Sequence, residues 1–151
     1  MFNSFFNNEN LMFNIEKEYA RWGFSIFETI LPQNIELILL KNDKKVLLNS
    51  QIDHKRKKFL LIFELLYFSF FEEQIKEVHI INTDYDLSSK ESTFIYNNII
   101  NNIPNEYIYD YISKNPKINF ATLIYSLSEH MCMPVNIILD KCFDLELEQK
   151  L

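Results

Sequence analysis

"FLLIFELLYFSFF", residues 59–71, is an apolar run of thirteen residues that contains one charged side chain, Glu64. A membrane-spanning helix needs about 20 apolar residues, whereas runs of about 10–14 usually form helices buried in a core. We therefore predict a central core helix that Asp53 caps and that continues to about Val78. The basic "HKRKK" before the run and the acidic "EE" after it resemble the flanks of a membrane segment, but the run is too short, and we expect no membrane partner.

A second helix is predicted over residues 11–31, where apolar residues recur at helical spacing between Asn10, a candidate cap, and Pro32. Gly23, the only glycine of the chain, interrupts this pattern beside the only tryptophan, Trp22. Glycine within a helix costs about 1 kcal/mol relative to alanine, and two interpretations remain open. Either Gly23 ends the helix in the left-handed conformation and "FSIFETIL" begins a second short helix, or another element packs closely against the position without a Cβ. We favour the break.

The segment "NIELILLKNDKKVLLNS", residues 34–50, places two apolar runs on either side of the polar "KNDKK". This pattern favours a β-hairpin that turns at Asn42 and Asp43, and a helical alternative stays open because leucine is indifferent to the strand. "VHIIN", residues 78–82, is a short β-branched run that is typical of a strand. Pairing of this strand with the hairpin would complete a small sheet.

The second half of the chain reads as helices punctuated by prolines. Ser88 or Ser89 can cap a helix over residues 91–103, and prolines at or near helix starts predict further helices over 104–113, 117–131 and 134–148. No repeat or linker divides the chain, so we predict a single domain over residues 1–151. The expected fold is mainly α, with about six or seven helices, and a small β-hairpin or sheet in the first half is the α+β alternative.

Composition excludes several classes of function. Hydrophobic residues make up 48% of the chain, which argues against disorder, and the formal net charge of −6 argues against a general nucleic-acid binder. Loops that cradle phosphates need several glycines, so one glycine excludes Walker A and Rossmann sites. Two cysteines make no disulfide framework, and the N-terminus has no signal-peptide pattern. We expect a cytoplasmic protein that is not an enzyme.

Metal and acid–base sites have weak support in the sequence. His130, Cys132 and Cys142 could supply soft ligands, but the spacing of a four-ligand zinc site is missing. The carboxylates at 72, 73 and 77 are interpreted as a solvated face, because nothing in the sequence indicates a cleft around them. We predict no catalytic residue, no cofactor and no metal.

A basic cluster occupies residues 41–58, where seven cations against Asp43 and Asp53 give a local net charge of +5 and leave −11 for the rest of the chain. One interpretation is a docking patch for phosphates or an acidic partner, formed by Lys44, Lys45, Lys55 and Arg56. The other is that these cations pair with the carboxylates of the domain itself.

Two segments combine acidic residues with tyrosine, a favoured interface anchor. The first is "TDYDL", and the second is "NEYIYDYI", which holds three of the eight tyrosines within five residues. Carboxylates beside tyrosines would attract a basic partner. The predicted partner-binding residues are therefore Asp84, Tyr85, Asp86, Glu106, Tyr107, Tyr109, Asp110 and Tyr111.

By overall character the chain resembles the immunity proteins of bacterial contact-dependent growth inhibition systems, because it is small, acidic and rich in asparagine, isoleucine and lysine. The resemblance implies a stoichiometric inhibitor that binds a cognate toxin 1:1, expected to be a basic nuclease domain, and covers its active site. It rests on no motif, so it carries no residue assignments. Direct nucleic-acid binding is not expected.

Two alternatives come from other classes of protein. "RWGFSIFE", residues 21–28, resembles the Trp-Gly motif of viral Bcl-2-like helical decoys. That resemblance implies a hydrophobic groove that binds an amphipathic helix. A nucleic-acid accessory protein that uses the basic cluster is the other alternative, and salt-dependent binding would identify it.

Overall fold

The computed structural model describes residues 11–85 and 87–151. Asn10, the predicted helix cap, and Asp86, a predicted partner-binding residue, lie outside the described residues. The described chain forms helices and strands in the order α1 (Leu11–Arg21), β1 (Ser25–Thr29), β2 (Ile35–Leu40), β3 (Lys45–Asn49), α2 (His54–Phe71), β4 (Val78–Asn82), α3 (Lys90–Asn102), α4 (Asn105–Lys114), α5 (Phe120–Met131) and α6 (Val135–Asp144).

The four strands form one mixed sheet in the order β1-β3-β2-β4. β2 and β3 form an antiparallel hairpin, β4 pairs antiparallel with the other side of β2, and β1 pairs parallel with β3. Leu37 and Leu39 of β2 and Val46 and Leu48 of β3 are buried, so their shared face lies against the core. β1 and β4 are the edge strands.

α2 is the centre of the molecule. Every residue from Lys58 to Phe68 is buried, so the helix has no solvated face over that span. Tyr19 of α1 donates a hydrogen bond to the carbonyl of Leu61 at 2.5 Å, and Phe24 packs edge-on against Phe68. α3 also packs along α2, so the sheet and the outer helices enclose the central helix between them. No helix of the described residues is long and apolar enough to cross a membrane.

The prediction of a mainly α fold is wrong, because the protein is an α+β domain with a four-stranded sheet. The error lies at residues 25–29, which helical spacing assigned to the first helix. These residues form β1, which pairs with β3 from Ser25 opposite Lys45 to Thr29 opposite Asn49. Ile26 and Ile30 satisfy helical spacing by coincidence, and pairing with a distant strand overrides that local pattern.

Gly23 explains why the first helix ends. It has φ of +83°, and its N–H donates to the carbonyl of Ala20 at 2.9 Å, as expected of a left-handed residue that follows a helix. An added Cβ would lie 4.0 Å from Lys44 Cδ, which is ordinary contact, so close packing is not the reason for the glycine. The predicted break is confirmed, but a strand follows it and not a second helix.

Several local predictions hold. The hairpin over 34–50 and the strand "VHIIN" are confirmed, and Asp53 caps α2 by accepting a hydrogen bond from the N–H of Lys55. Ser89 caps α3, which begins at Lys90. The core helix ends at Phe71 and not near Val78, because a 3₁₀ turn over Glu72–Gln74 leads into β4. α5 begins at Phe120, three residues later than predicted, because Asn119 supplies its cap.

We predict that Gly23→Ala lowers the free energy of unfolding by roughly 1–2 kcal/mol, which is the cost of holding a residue with a Cβ in the left-handed conformation. Urea unfolding followed by circular dichroism measures this loss. Gly23→Asn is the matched control, because asparagine tolerates the left-handed region and loses less stability. Equal stability of the alanine variant and the wild type would contradict this account of the turn.

Candidate partner-binding groove

Three phenylalanines, two exposed and one half-buried, form an aromatic cluster where the C-terminal end of α2 meets the start of α3. The Phe94 ring lies edge-on to Phe70 and Phe71, with centroids 5.2 and 5.9 Å away. Phe70 is 52% exposed and Phe94 is 45% exposed. Phe70 extends from the last turn of α2 beyond its buried span, so the helix that fills the core also carries its apolar side chains out to the surface.

The cluster lines a groove of about 380 Å³ with Lys90 and Glu91 beside it. A second depression of about 270 Å³ adjoins the first, because Phe70 and Phe71 line both of them. Its other lining residues include Glu72 and Glu73, which are exposed. We call Phe70, Phe71 and Phe94, with the surrounding Glu72, Glu73, Lys90 and Glu91, the aromatic groove. Its rim carries three carboxylates against one lysine, so its local charge is negative.

Behind the groove lies a buried polar network. The Glu64 carboxylate is fully buried, and its two oxygens lie 2.7 and 2.8 Å from His79 Nδ1. His79 Nε2 lies 3.1 Å from the Tyr85 hydroxyl, and the Tyr67 ring stacks on His79 with centroids 4.4 Å apart. Tyr67 in turn contacts Phe71 at 5.4 Å. A continuous series of rings therefore connects the groove to the carboxylate in the core.

Burial governs the acid–base properties of this network. Burial raises the pKa of Glu64, and the hydrogen bond and charge of His79 lower it, so the carboxylate depends on that one histidine. Burial also raises the pKa of Tyr85 to about 12, and the nearby Glu64 and Glu91 act in the same direction. A phenol that stays protonated is a poor nucleophile. The network joins α2, β4 and the loop after β4.

The first acidic-tyrosine segment divides between this network and the surface. Tyr85 is half-buried, and its ring packs edge-on against Phe63 as well as reaching His79. Asp84 is exposed, and its N–H donates to the side chain of Asn82. Asp86, the third predicted residue of this segment, lies outside the described residues.

The second acidic-tyrosine segment forms α4, which follows the far end of α3. α3 has thirteen residues and a rise of about 1.5 Å per residue, so roughly 20 Å separates the two segments, and they do not form one surface. Glu106 and Tyr109 are exposed, whereas Tyr107 packs against the core. Asp110 pairs with Lys114 at 2.9 Å, and Tyr111 lies edge-on to His130.

The cavity beside Tyr111, of about 450 Å³, carries a different charge from the aromatic groove. Its lining includes Lys114 and Lys117. Since Asp110 is already paired with Lys114, the surface of α4 has less free negative charge than its sequence indicates. A basic partner therefore finds better charge complementarity at the aromatic groove.

The basic cluster is largely paired within the chain. Arg56 makes two hydrogen bonds to the Glu36 carboxylate, at 2.9 and 3.0 Å, and Lys55 pairs with Glu129. Lys44 and Lys45 are exposed, and their ammonium groups lie over the rings of Phe24 and Phe27 at 5.0 and 5.9 Å. These contacts match the second interpretation of the cluster for Lys55 and Arg56.

Lys58 is the buried member of the cluster. Its ammonium group donates to the carbonyl of Met131, and burial lowers its pKa to about 7, partly opposed by the nearby Cys132. Lys58 therefore connects the second turn of α2 to the end of α5. Such a group is expected to affect the pH dependence of folding more than it affects binding.

The three candidate metal ligands have different positions and contacts in the fold. Cys142 belongs to the core, Cys132 ends α5 in the left-handed conformation, and His130 lies against Tyr111. Within residues 11–85 and 87–151, no three His, Cys, Asp or Glu side chains are grouped so that they could hold a metal ion.

Sequence reasoning did not identify the aromatic groove. Phe70 and Phe71 belong to the apolar run that predicts the core helix, and nothing in that run indicates where burial ends. One signal was available, because the acidic "EE" follows the run directly and a buried helix rarely continues into two adjacent carboxylates.

Comparisons of the chain with protein families, with curated proteins and with solved structures find no match.

We predict that Glu64→Ala lowers the free energy of unfolding by about 3 kcal/mol or more, because it leaves a cavity and removes the partner of His79. Glu64→Gln keeps an acceptor for His79 Nδ1 and should lose less. Thermal and urea unfolding compare these variants with Glu73→Ala, an exposed carboxylate whose loss is expected to stay within about 0.5 kcal/mol. Equal losses in Glu64→Ala and Glu73→Ala would contradict the role of the network.

We predict that Lys58 makes folding more stable as pH rises from 7 towards 9. The folded state releases a proton near pH 7 that the unfolded state keeps until about pH 10.4, so stability increases with pH in this window. The wild type should therefore gain up to about 1.4 kcal/mol per pH unit relative to Lys58→Met. Urea unfolding between these pH values measures the difference.

Lys57→Met is the control for this pH dependence, since Lys57 pairs with Glu28 at the surface of the sheet edge at 3.5 Å. Its free energy of unfolding should run parallel to that of the wild type between pH 7 and 9. A parallel curve for Lys58→Met would show that Lys58 does not titrate in this range and would contradict the prediction.

Proposed function

We propose that the protein is a non-catalytic, stoichiometric inhibitor that binds one basic toxin protein, with a nuclease domain as the expected class. The observation that supports this proposal is the aromatic groove, in which the exposed Phe70 and Phe94 lie beside carboxylates that have no ion-pair partner within the described residues. The chain's net charge of −6 favours a basic partner in the same way. An inhibitor of this kind covers the toxin's active site and needs no chemistry of its own.

The groove has the composition of a binding hot spot. A few side chains in pockets that exclude water carry most of the energy of a protein interface, aromatic residues are enriched at the interface core, and surrounding charges steer the partner. Here an apolar side chain of the toxin would enter the cavity between Phe71 and Phe94. Lysine or arginine side chains on either side of it would meet Glu72, Glu73 and Glu91.

The immunity-protein resemblance fits this proposal, since it implies a 1:1 complex with a cognate toxin. We propose the cytoplasm as the compartment, where the two free thiols would stay reduced. The Bcl-2-like alternative loses its basis, because it implies an all-helical fold and the Trp-Gly pair leads into β1. The nucleic-acid alternative is weakened by the pairing of Lys55 and Arg56 with carboxylates of the chain.

The test begins with the tagged protein as bait in a lysate of the source organism, with the bound protein identified by mass spectrometry. We expect one basic protein at 1:1, whose nuclease activity is lost on binding. Phe94→Ser should weaken the complex by about 30-fold or more, as expected of a hot-spot residue, measured by calorimetry with the purified partner. Glu73→Lys should slow association and reduce its dependence on salt.

Phe143→Ser is the matched control, because Phe143 is 46% exposed, close to the 45% of Phe94, and contacts only Phe120 among the ring pairs of the described residues. Phe143→Ser should keep the affinity for the purified partner within about threefold of the wild-type value. An acidic partner, a partner that stays active in the complex, or nucleic acid released by salt would overturn the proposal. Wild-type affinity of Phe94→Ser with loss in Tyr107→Ala plus Asp110→Lys would move the interface to α4.

A further inference from the structure

The sheet face opposite α2 carries an apolar row that crosses all four strands. Leu37 and Leu39 of β2 and Val46 and Leu48 of β3 lie on the core face, so Ile38 and Leu47 between them lie on the other face. Strand register places Phe27 beside Leu47, Leu47 beside Ile38, and Ile38 beside Ile80. No charged residue interrupts this row. We call it the open-face row.

The two ends of the row are well exposed, with Phe27 at 47% and Ile80 at 44%. Val78, at 46%, extends the apolar surface along β4. Leu47 and Ile38 in the middle are half-buried by their neighbours. A contiguous apolar patch of this kind on a sheet is typical of an interaction surface, whereas single exposed apolar residues are not.

We propose that the open-face row is a homodimer interface, in which the sheets of two copies of this chain pack face to face. The order of the row is self-complementary. A two-fold axis parallel to the strands, between β2 and β3, places β1 over the partner's β4 and β3 over the partner's β2. Phe27 then packs on the partner's Ile80, and Leu47 packs on the partner's Ile38.

The charges near the row are compatible with this arrangement. Lys45 lies one row further along the sheet, beside Leu40, so the same axis places its aliphatic stem over the partner's Leu40. Its ammonium group reaches away from the axis to the ring of its own Phe27 on edge strand β1, so the charge lies at the rim of the interface. Two-fold symmetric contacts of one patch with itself are the commonest way in which proteins form dimers, and aligned sheets pack about 10 Å apart.

The size of the face sets the expected affinity. Four strands about 4.8 Å apart and about 17 Å long project onto roughly 300 Å², and side-chain relief increases the accessible area. Specific interfaces bury at least about 600 Å² per partner, which is about twice the projected area, so this interface is small even with side-chain relief included. We expect a dimer that dissociates in the micromolar range. This interface is separate from the aromatic groove, so failure of either proposal leaves the other standing.

Sedimentation velocity of the full chain over about 1–500 µM tests the proposal, a range chosen to bracket a weak interface. We expect a concentration-dependent shift from monomer to dimer. Phe27→Lys and Ile80→Glu should each remain monomeric, because each places a charge on an apolar partner residue. An equimolar mixture of the two variants should form a heterodimer, since one end of the interface then joins lysine to glutamate and the other end is native.

Phe143→Lys is the control, because it adds the same charge at a phenylalanine of equal exposure on α6 and should dimerise like the wild type. A wild type that stays monomeric at every concentration overturns the proposal, whatever else covers the face. A dimer that persists in both Phe27→Lys and Ile80→Glu also overturns it. If the wild type dimerises but neither the two variants nor their mixture do, the proposed register is wrong, and this interface is rejected with it.

Discussion

The structure depends on the complete burial of α2, which brings a carboxylate into the core. Burying an ionisable group without a partner costs several kcal/mol, so the fold must supply a partner for Glu64. His79 of β4 supplies it, and Tyr85 completes the hydrogen bonding of the imidazole. The pairing of β4 with the hairpin is therefore linked to the placement of α2. Sheet and central helix are fixed together by this one contact as well as by apolar packing.

The same contact connects the core to the candidate groove. Tyr67 lies between His79 and Phe71, so the position of the groove wall follows from the position of the buried pair. A binding surface gains from such support, because rigid anchors lose less entropy when a partner binds. The exposed phenylalanines of the groove are therefore held in place by packed rings behind them, and are not simply the part of the apolar run that the core leaves uncovered. The groove is the surface end of a packed series of rings that begins at Glu64.

Local signals in the sequence predicted those elements whose structure is decided locally. Asp53 and Ser89 cap helices by hydrogen bonds within their own first turns, and the hairpin turns at a polar segment between two apolar runs. β1 could not be predicted in this way, since Ile26 and Phe27 depend on β3 for their conformation. The distribution of ion pairs is also non-local, because Lys55 and Glu129 lie far apart in the sequence. The groove was missed for the same reason, as Phe70 and Phe94 come from different helices.

The charges of α2 oppose its macrodipole at both ends, and the two ends differ in how this is compensated. Cations near a helix N-terminus and carboxylates near its C-terminus each cost about 0.3–1 kcal/mol. At the N-terminal end, the chain supplies carboxylates to Lys55, Arg56 and Lys57. At the C-terminal end, Lys41 donates to the carbonyls of Glu72 and Ile75 in the turn that follows α2, but within the described residues the carboxylates of Glu72 and Glu73 have no ion-pair partner. Uncompensated charge therefore remains at the end where the phenylalanines are exposed. A basic partner at the groove would neutralise these carboxylates and cover the exposed phenylalanines at the same time. This is the physical reason to place function there and not at the basic end of the helix.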